Sequence, residues 1–455
     1  METASKWRRL AQRTDLNLKL RRCVCRLCAL LLGAAVLACD CAVRGQDSEG
    51  STNALTLAPS YQAVSSNEPM PLLAPGISRF AGTSQLALPA AVPLPALQPL
   101  LQWGALSLQS HLLYRLSYGD GLQPQPGHQT KTAINELDPG LMFQWGHWTL
   151  DYTSMLRLYS SRDFRDSFNN AVTLTGGTTY EDWAFGLSQS YLSSSDPLIE
   201  TASQLDHQTY STALSAICQL SSKASLELGA NQNFRFLDNT VPGEQLSDSR
   251  SWSTMDWLNF QFRSGLGGAV GAGFGYDNVA VGSDMTSEQL QGRITWHVVN
   301  KASLVLSGGG EARQFLRSGA SDLISSIFSL SARYSPFEVT TFSVTAFRDF
   351  SPSFYQDQVT ESTSISVGLH QRILGKLFLD LNGGFANTTY HASTLAPVAT
   401  NIDNYDSTFF GARLATSVLK RGSAAIFYSV NYNSSAAAIY NYTTTQFGLE
   451  LSYRY

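Results

Sequence analysis

Hydrophobic and polar residues alternate with a period of two along most of the chain from Leu101 onward. In LSLQSHLLYRLSY (residues 106–118), most of the Leu and Tyr side chains share one face, and Ser, Gln, His and Arg occupy the other. The pattern recurs in WTLDYTSMLRL (148–158), EQLQGRITWHV (288–298) and STSISVGLHQRI (362–373). No stretch of helical period competes with it, so the region is predicted to be all-β.

Short and long connections alternate between these predicted strands. Short turns are predicted at Gly146-His147, Gly176-Gly177 and Ser335-Pro336-Phe337, and long polar loops at residues 119–136 and 387–406. This gives about 18 strands, with 16 as the alternative count. An even number places both chain ends at the rim with short turns, which is typical of a transmembrane antiparallel β-barrel of the bacterial outer membrane.

The chain ends in FGLELSYRY, in which large apolar side chains fall on every second residue: Phe447, Leu449, Leu451, Tyr453 and Tyr455. Lipid cannot satisfy an open sheet edge, so this strand is predicted to pair with residues 106–118 and close the barrel. Its terminal aromatic side chain resembles the signal by which the barrel-assembly machinery recognises outer-membrane proteins. A large soluble sandwich is the alternative, but it would hide its apolar faces inside.

The composition agrees with a protein that is wet on one side and exposed to lipid on the other. Charged residues make up 15% of the chain and aromatic residues 11%, against a usual charged share of about 25%. The hydrophobic fraction of 43% is ordinary, which argues against a bundle of transmembrane helices. The low charge therefore favours a barrel in contact with lipid.

Residues 1–46 have the features of an export signal. A basic segment precedes the apolar run LCALLLGAAVLAC, which is short for a membrane-spanning helix, and small residues follow. Cleavage is expected near Gly45 or Gln46. The alternative is a lipoprotein site with Cys39 as the lipidated residue. Five of the six cysteines lie in this leader, so Cys218 alone would remain afterwards, without an intramolecular disulfide partner.

Residues 47–100 contain eight of the sixteen prolines and are predicted to form a disordered periplasmic tail. The tail is a spacer or a docking segment for a periplasmic secretion partner. The leader carries 9 of the 31 basic and 3 of the 35 acidic residues, so the remainder has a net charge of about −10. An acidic exported protein is a poor candidate for binding nucleic acid.

The barrel region, residues 101–455, resembles a family of outer-membrane β-barrels known as β-barrel porin 2. The stretches that carry the resemblance are SLQSHLLYRLSYGDG, VTLTGGTTYEDWAFGLSQSY, RSWSTMDWLNFQF and FGLELSYRY. The resemblance implies porin-like passage of small solutes or polysaccharide, and in some relatives an association with exopolysaccharide secretion. It supplies no catalytic or binding residues to carry over.

If the apolar face meets lipid, the opposite face lines the lumen. Its cationic candidates are six arginines: Arg115, Arg157, Arg235, Arg293, Arg372 and Arg413. Arginines at one height would favour anions. The simpler expectation is that they pair with carboxylates such as Asp380 and Glu450 across strands. Asp256 breaks the alternation, because it shares a face with Trp252 and Leu258, and a β-bulge or a shifted register is expected there.

Five tryptophans near strand ends, Trp103, Trp148, Trp183, Trp252 and Trp296, are expected to form girdles at the membrane interfaces rather than a surface for stacking sugars. The seven histidines are scattered, with no nucleophile motif or metal-ligand spacing beside them, so neither an enzyme nor a cofactor or metal site is expected. The sequence therefore predicts a porin-like barrel. The alternative is a structural or adhesive surface barrel with a plugged lumen.

Overall fold

The computed structural model describes residues 101–125, 127–198, 203–238, 246–298, 301–394, 404–418, 421–435 and 441–454. These residues are arranged in strands, turns and links, and no helix among them is long and apolar enough to cross a membrane. The predicted leader and tail, residues 1–46 and 47–100, and the terminal Tyr455 lie outside the described residues.

Eighteen strands of the described chain form one closed antiparallel barrel. They are β2 (Leu106–Gln125), β3 (His128–Trp145), β4 (Trp148–Tyr159), β5 (Ser167–Tyr180), β6 (Trp183–Ser194), β9 (Asp206–Ser221), β10 (Ala224–Asp238), β11 (Ser249–Arg263), β12 (Leu266–Val279), β13 (Met285–Val298), β14 (Ala302–Phe315), β15 (Leu323–Phe337), β16 (Thr340–Pro352), β17 (Gln358–Ile373), β18 (Leu377–Ala392), β19 (Tyr405–Ser417), β20 (Gly422–Ser435) and β21 (Tyr442–Arg454). The short β1 (Leu101–Trp103) pairs with the start of β2, and β7 (Pro197–Leu198) pairs with β8 (Ser203–Gln204) in a small separate hairpin. The predicted strand number of 18 is confirmed.

The last strand closes the barrel against the first. β21 pairs with β2 from His111↔Arg454 to Asp120↔Thr445, as the terminal alternation predicts. Phe447, Leu449 and Leu451 of this strand point outward, and each is more than half exposed. No barrel strand is left with a free edge along this seam, so the backbone hydrogen bonds are satisfied as lipid requires.

The polarity of the barrel is inverted relative to a soluble protein. Outward-facing Leu116, Val270 and Ile294 are exposed, whereas inward-facing Gln291 and Glu450 are each 4% exposed. An apolar outer band of this kind would be costly in water and is stable in hydrocarbon. This arrangement excludes the large soluble sandwich.

One rim of the barrel carries short turns and is called the short-turn rim. Two of the turns predicted for it are misplaced. Gly176-Gly177 lies inside β5, and the turn falls at Glu181 and Asp182. Likewise β15 continues through Ser335-Pro336-Phe337, and the chain reverses at residues 338–339. Glycine and proline favour turns, but Gly176 is accommodated within the strand, where the ring of Trp148 occupies the space of a side chain.

The opposite rim, called the long-loop rim, carries the nine remaining connections between barrel strands. The predicted loop at residues 119–136 is instead mostly strand, because β2 and β3 continue beyond the barrel wall to Gln125↔His128. Both ends of the barrel segment, the start of β2 and the end of β21, lie at the short-turn rim.

Candidate functional site

A chain of ion pairs runs along the inner wall across the seam where the barrel closes. Arg115 of β2 bonds to Glu450 of β21 at 2.7 Å and lies 3.5 Å from Glu136 of β3. Arg157 of β4 also binds Glu136, at 3.1 Å, and reaches Asp196 in the link after β6 at 2.5 Å. The seam is therefore tied by charged side chains as well as by the backbone.

On the other side of the seam the same chain of ion pairs continues through Glu450. Arg413 of β19 donates to Glu450 at 2.7 Å and to Asp380 of β18 at 3.4 Å. The second oxygen of Asp380 lies 2.5 Å from the Nδ1 atom of His370 on β17. We call these eight residues, from Asp196 to His370, the lumenal ion-pair chain.

Strand register accounts for this arrangement. Arg115 lies directly opposite both Glu450 and Glu136, and Asp380 lies directly opposite both Arg413 and His370. Because barrel strands are tilted, a row of opposite residues also climbs the barrel. His370 is near the end of β17 at the short-turn rim, whereas Arg157 is near the end of β4 at the long-loop rim. The ion-pair chain thus extends along the inner wall from the short-turn rim to the long-loop rim.

A second charged cluster lies on the wall formed by β10 to β13. Arg293 bonds to Glu227 at 2.5 Å and to Asn259 at 2.7 Å. Its guanidinium also lies over the ring of Trp257, 4.3 Å from the ring centroid. Trp257 is 2% exposed and packs over Gly271, where an added Cβ would lie 2.5 Å from the ring.

A third cluster is buried near the long-loop rim. Arg313 of β14 bonds to Asp277 of β12 at 2.9 Å and to Glu311 at 2.8 Å. Gln289 of β13 donates a further hydrogen bond to Glu311 at 2.9 Å. The charges of this third cluster are paired and hydrogen-bonded, as buried charges must be.

At the long-loop rim the tip of the β16–β17 hairpin leaves the wall and crosses the lumen. Pairing between β15 and β16 stops at Phe328↔Arg348, although β15 begins at Leu323 and β16 ends at Pro352. Beyond this point Phe350 and Val359 pack against Met285 and Phe315 of β13 and β14. We call residues 349–360 the inserted hairpin.

Arg235 of β10 holds the tip of the inserted hairpin from six strands away around the barrel. Its Nη2 atom donates to the carbonyl oxygens of Pro352 and Ser353, both at 2.9 Å. The guanidinium also lies 3.9 Å from the centroid of the Phe354 ring. A buried cation that bonds two carbonyls and an aromatic face is a strong anchor.

The tip also pairs with the link between β10 and β11. Tyr355 forms an antiparallel bridge with Leu246, and the N–H of Ser247 donates to the carbonyl oxygen of Phe354 at 2.8 Å. Leu205, Leu246, Phe354 and Tyr355 form a buried apolar cluster. The inserted hairpin therefore narrows the lumen at the long-loop rim.

The six arginines predicted to line the lumen have three different positions. Arg115, Arg157, Arg293 and Arg413 are on the inner wall, and each is bonded to a carboxylate. Arg235 is inside but anchors the inserted hairpin. Arg372 is exposed at the short-turn rim, where its Nε atom donates to the carbonyl oxygen of Gly375 at 2.7 Å.

The structure contradicts the bulge or register shift expected at Asp256. The pairs Glu227↔Trp257 and Ala230↔Thr254 keep one register on both sides of it, so Asp256 lies on the outer face. The N–H of Gly229 donates a long hydrogen bond of 3.4 Å to the Asp256 carboxylate. It lies where paired residues between β10 and β11 are missing.

Aromatic side chains gather at both ends of the outer surface. Trp148 and Trp183 adjoin turns of the short-turn rim, and Trp296 lies near one. Trp252 contacts Phe234 edge to face and stacks with Tyr276, nearer the long-loop rim. These positions suit interfacial girdles.

Sequence reasoning missed Trp257, Phe354 and Tyr355. Trp257 lies on the polar face of its strand, and this was a signal that it points into the lumen. Nothing local marks the tip of the inserted hairpin, because its contacts with Arg235 and Leu246 join segments more than a hundred residues apart. Within the described chain no group of three or more His, Cys, Asp or Glu side chains is arranged to hold a metal ion.

No family model and no curated protein matches the chain. Among solved structures it is similar to the outer membrane protein opdK from Pseudomonas aeruginosa, with 12% identity and a TM-score of 0.38, covering 77% of this chain and 98% of that one. OccK2 (OpdF) from Pseudomonas aeruginosa, in complex with glucuronate, shows 13% identity and a TM-score of 0.40, and the match covers 76% of this chain and 97% of that one. The copper transporter OprC shows 11% identity and a TM-score of 0.39. This match covers 75% of this chain but 63% of OprC, which is under two thirds of the length of OprC. Such distant likenesses carry no functional argument, so the function must be inferred from the lumen.

Proposed function

We propose that the chain is an outer-membrane channel of the porin-like kind, which lets small polar solutes pass through its lumen. The observation that carries this proposal is the lumenal ion-pair chain, which lines the inner wall from one rim to the other. A wall of charged and hydroxyl-bearing side chains is compatible with water, whereas a scaffold barrel could fill its interior with apolar groups.

Barrel size supports the same proposal. Eight-stranded barrels are filled by their own side chains, whereas barrels of 16 to 18 strands leave an aqueous channel. With 18 strands, this barrel has room for a passage unless inserted segments block it. Short turns face the periplasm in bacterial barrels, so the inserted hairpin would narrow the outer mouth.

The inserted hairpin is also the observation that favours the alternative. If residues 349–360 stay docked and seal the mouth, the barrel would act as a structural or adhesive surface protein. The hairpin is held by Arg235 at its tip and by two apolar clusters, which suits a constriction that selects solutes by size. Passage of polysaccharide and a role in exopolysaccharide secretion are part of the same proposal, supported only by the family resemblance.

The cellular setting is likewise proposed from the sequence. Export through a cleaved leader, insertion by the barrel-assembly machinery and contact of the Pro-rich tail with a periplasmic secretion partner all fit an outer-membrane channel. Lipidation of Cys39 is the alternative for the leader. Mass spectrometry of the mature N-terminus distinguishes the two.

Single-channel recording in a planar bilayer tests the function. The purified, folded protein is expected to give stable conductance steps, because water and ions follow the polar wall. Heat-dependent mobility on a gel confirms that the barrel is folded. A folded barrel that gives no conductance, even after release of the inserted hairpin, would contradict the channel and leave the surface scaffold.

A further inference from the structure

Carboxylates outnumber arginines in the three charged clusters of the inner wall. The lumenal ion-pair chain has three arginines and four carboxylates, because Asp196, Glu136, Glu450 and Asp380 alternate with Arg157, Arg115 and Arg413. Arg293 has one carboxylate partner, whereas Arg313 has two, Asp277 and Glu311. With the histidines neutral, these clusters sum to a net charge of about −2. Arg235 and Asp151, which also lie inside the barrel, add one positive and one negative charge and leave this sum unchanged.

The arginines of these clusters are held by their carboxylate partners. Arg413 gives its Nε and Nη1 atoms to two different carboxylates, and Arg115 likewise lies between two. An anion would have to displace a charge-assisted hydrogen bond to reach either guanidinium. By contrast, the Asp151 carboxylate on β4 is 40% exposed and has His111 at 3.9 Å.

We infer that the lumen favours cationic solutes over anionic ones. This inference rests on the proposed channel function and names the class of solute that the channel prefers. A narrow passage with low-dielectric walls concentrates the field of its fixed charges, so a small excess of carboxylates is felt by every ion that enters. The number of arginines alone would suggest a preference for anions, but pairing with carboxylates cancels their charge.

The zero-current potential across a planar bilayer measures this preference. The purified full-length chain is placed between 1.0 M and 0.1 M KCl at about pH 8, where histidines contribute little charge. The expected permeability ratio of potassium to chloride is on the order of 3, because a surplus of about two charges is partly screened by salt.

Two substitutions and one matched control assign the preference to the inner wall. Glu450→Gln removes one carboxylate and leaves Arg115 and Arg413 with one carboxylate partner each, so the ratio is expected to fall toward 1. Asp151→Asn changes a half-exposed residue, with less risk to folding, and is expected to lower the ratio more modestly. Asp120→Asn is the control, since Asp120 pairs with Lys131 at 2.9 Å on the outer face, and it should leave the ratio unchanged.

Each outcome has a defined meaning. Conductance with a ratio of 1 or less in the unchanged protein would overturn the inference but keep the channel. A ratio that moves equally in Asp151→Asn and Asp120→Asn would also overturn it, because the inner wall would not be the cause. No conductance, with the inserted hairpin docked or released, would overturn the channel and this inference with it.

Discussion

At the scale of single residues, the inner face of β12 shows how glycine makes room for a buried ring. The sequence marks the glycines of LGGAVGAGFGYDN only as sites of close packing or bending. The structure shows the packing partner, because Trp257 lies over Gly271 and Met255 lies over Gly273. Alternation alone places Trp257 on the inner face, but not the ring over a particular glycine, because that depends on the register of β11 and β12.

Gly271→Ala is expected to destabilise the barrel by about 1–3 kcal/mol, because the added methyl group would overlap a buried ring. An added Cβ would lie 2.5 Å from the Trp257 ring. Gly292→Ala on the neighbouring strand is the matched control, since nothing lies within 4 Å of that Cβ position. Urea unfolding in lipid vesicles, followed by tryptophan fluorescence, compares the two. Equal free energies of unfolding for both variants would contradict the packing described for Trp257.

At the scale of elements, strands were predictable and the inserted hairpin was not. Period-two alternation fixes which residues of a strand face lipid, so the strands and their faces follow from local sequence. The inserted hairpin depends on contacts between Arg235 and a tip 117 or more residues away. Its connecting segment is also among the shorter links of its rim, so loop length gave no hint of a constriction.

Arg235→Gln is expected to loosen the inserted hairpin and raise the mean single-channel conductance. The guanidinium bonds two backbone carbonyls and stacks on Phe354, and its loss is expected to cost about 3 kcal/mol of docking free energy. This corresponds to roughly a hundredfold shift toward the undocked state. Arg250→Gln is the control, because Arg250 lies at a similar height but outside, over Phe236. Identical conductance in both variants would show that Arg235 does not hold the constriction.

At the scale of the whole molecule, the charges of the lumen follow from barrel geometry. The sequence indicates that the arginines and carboxylates share a face, but not which of them meet. Tilted strands convert directly opposite positions, such as Arg115 and Glu450, into a rising row, so residues from both ends of the barrel join in one chain of ion pairs. Charge pairing across the seam is therefore a property of the closed barrel and not of any strand.

The most direct test of a channel narrowed by the inserted hairpin is a reversible lock on its tip. Leu246 and Tyr355 form an antiparallel bridge, and such pairs have Cα atoms roughly 4.5–5.5 Å apart, within reach of a disulfide. Leu246→Cys with Tyr355→Cys, in a chain whose six native cysteines are serine, is recorded in one bilayer before and after reductant. We predict a low, quiet conductance when oxidised and a higher, fluctuating one when reduced. A verified cross-link whose reduction leaves the conductance unchanged, or a barrel silent in both states, would contradict it.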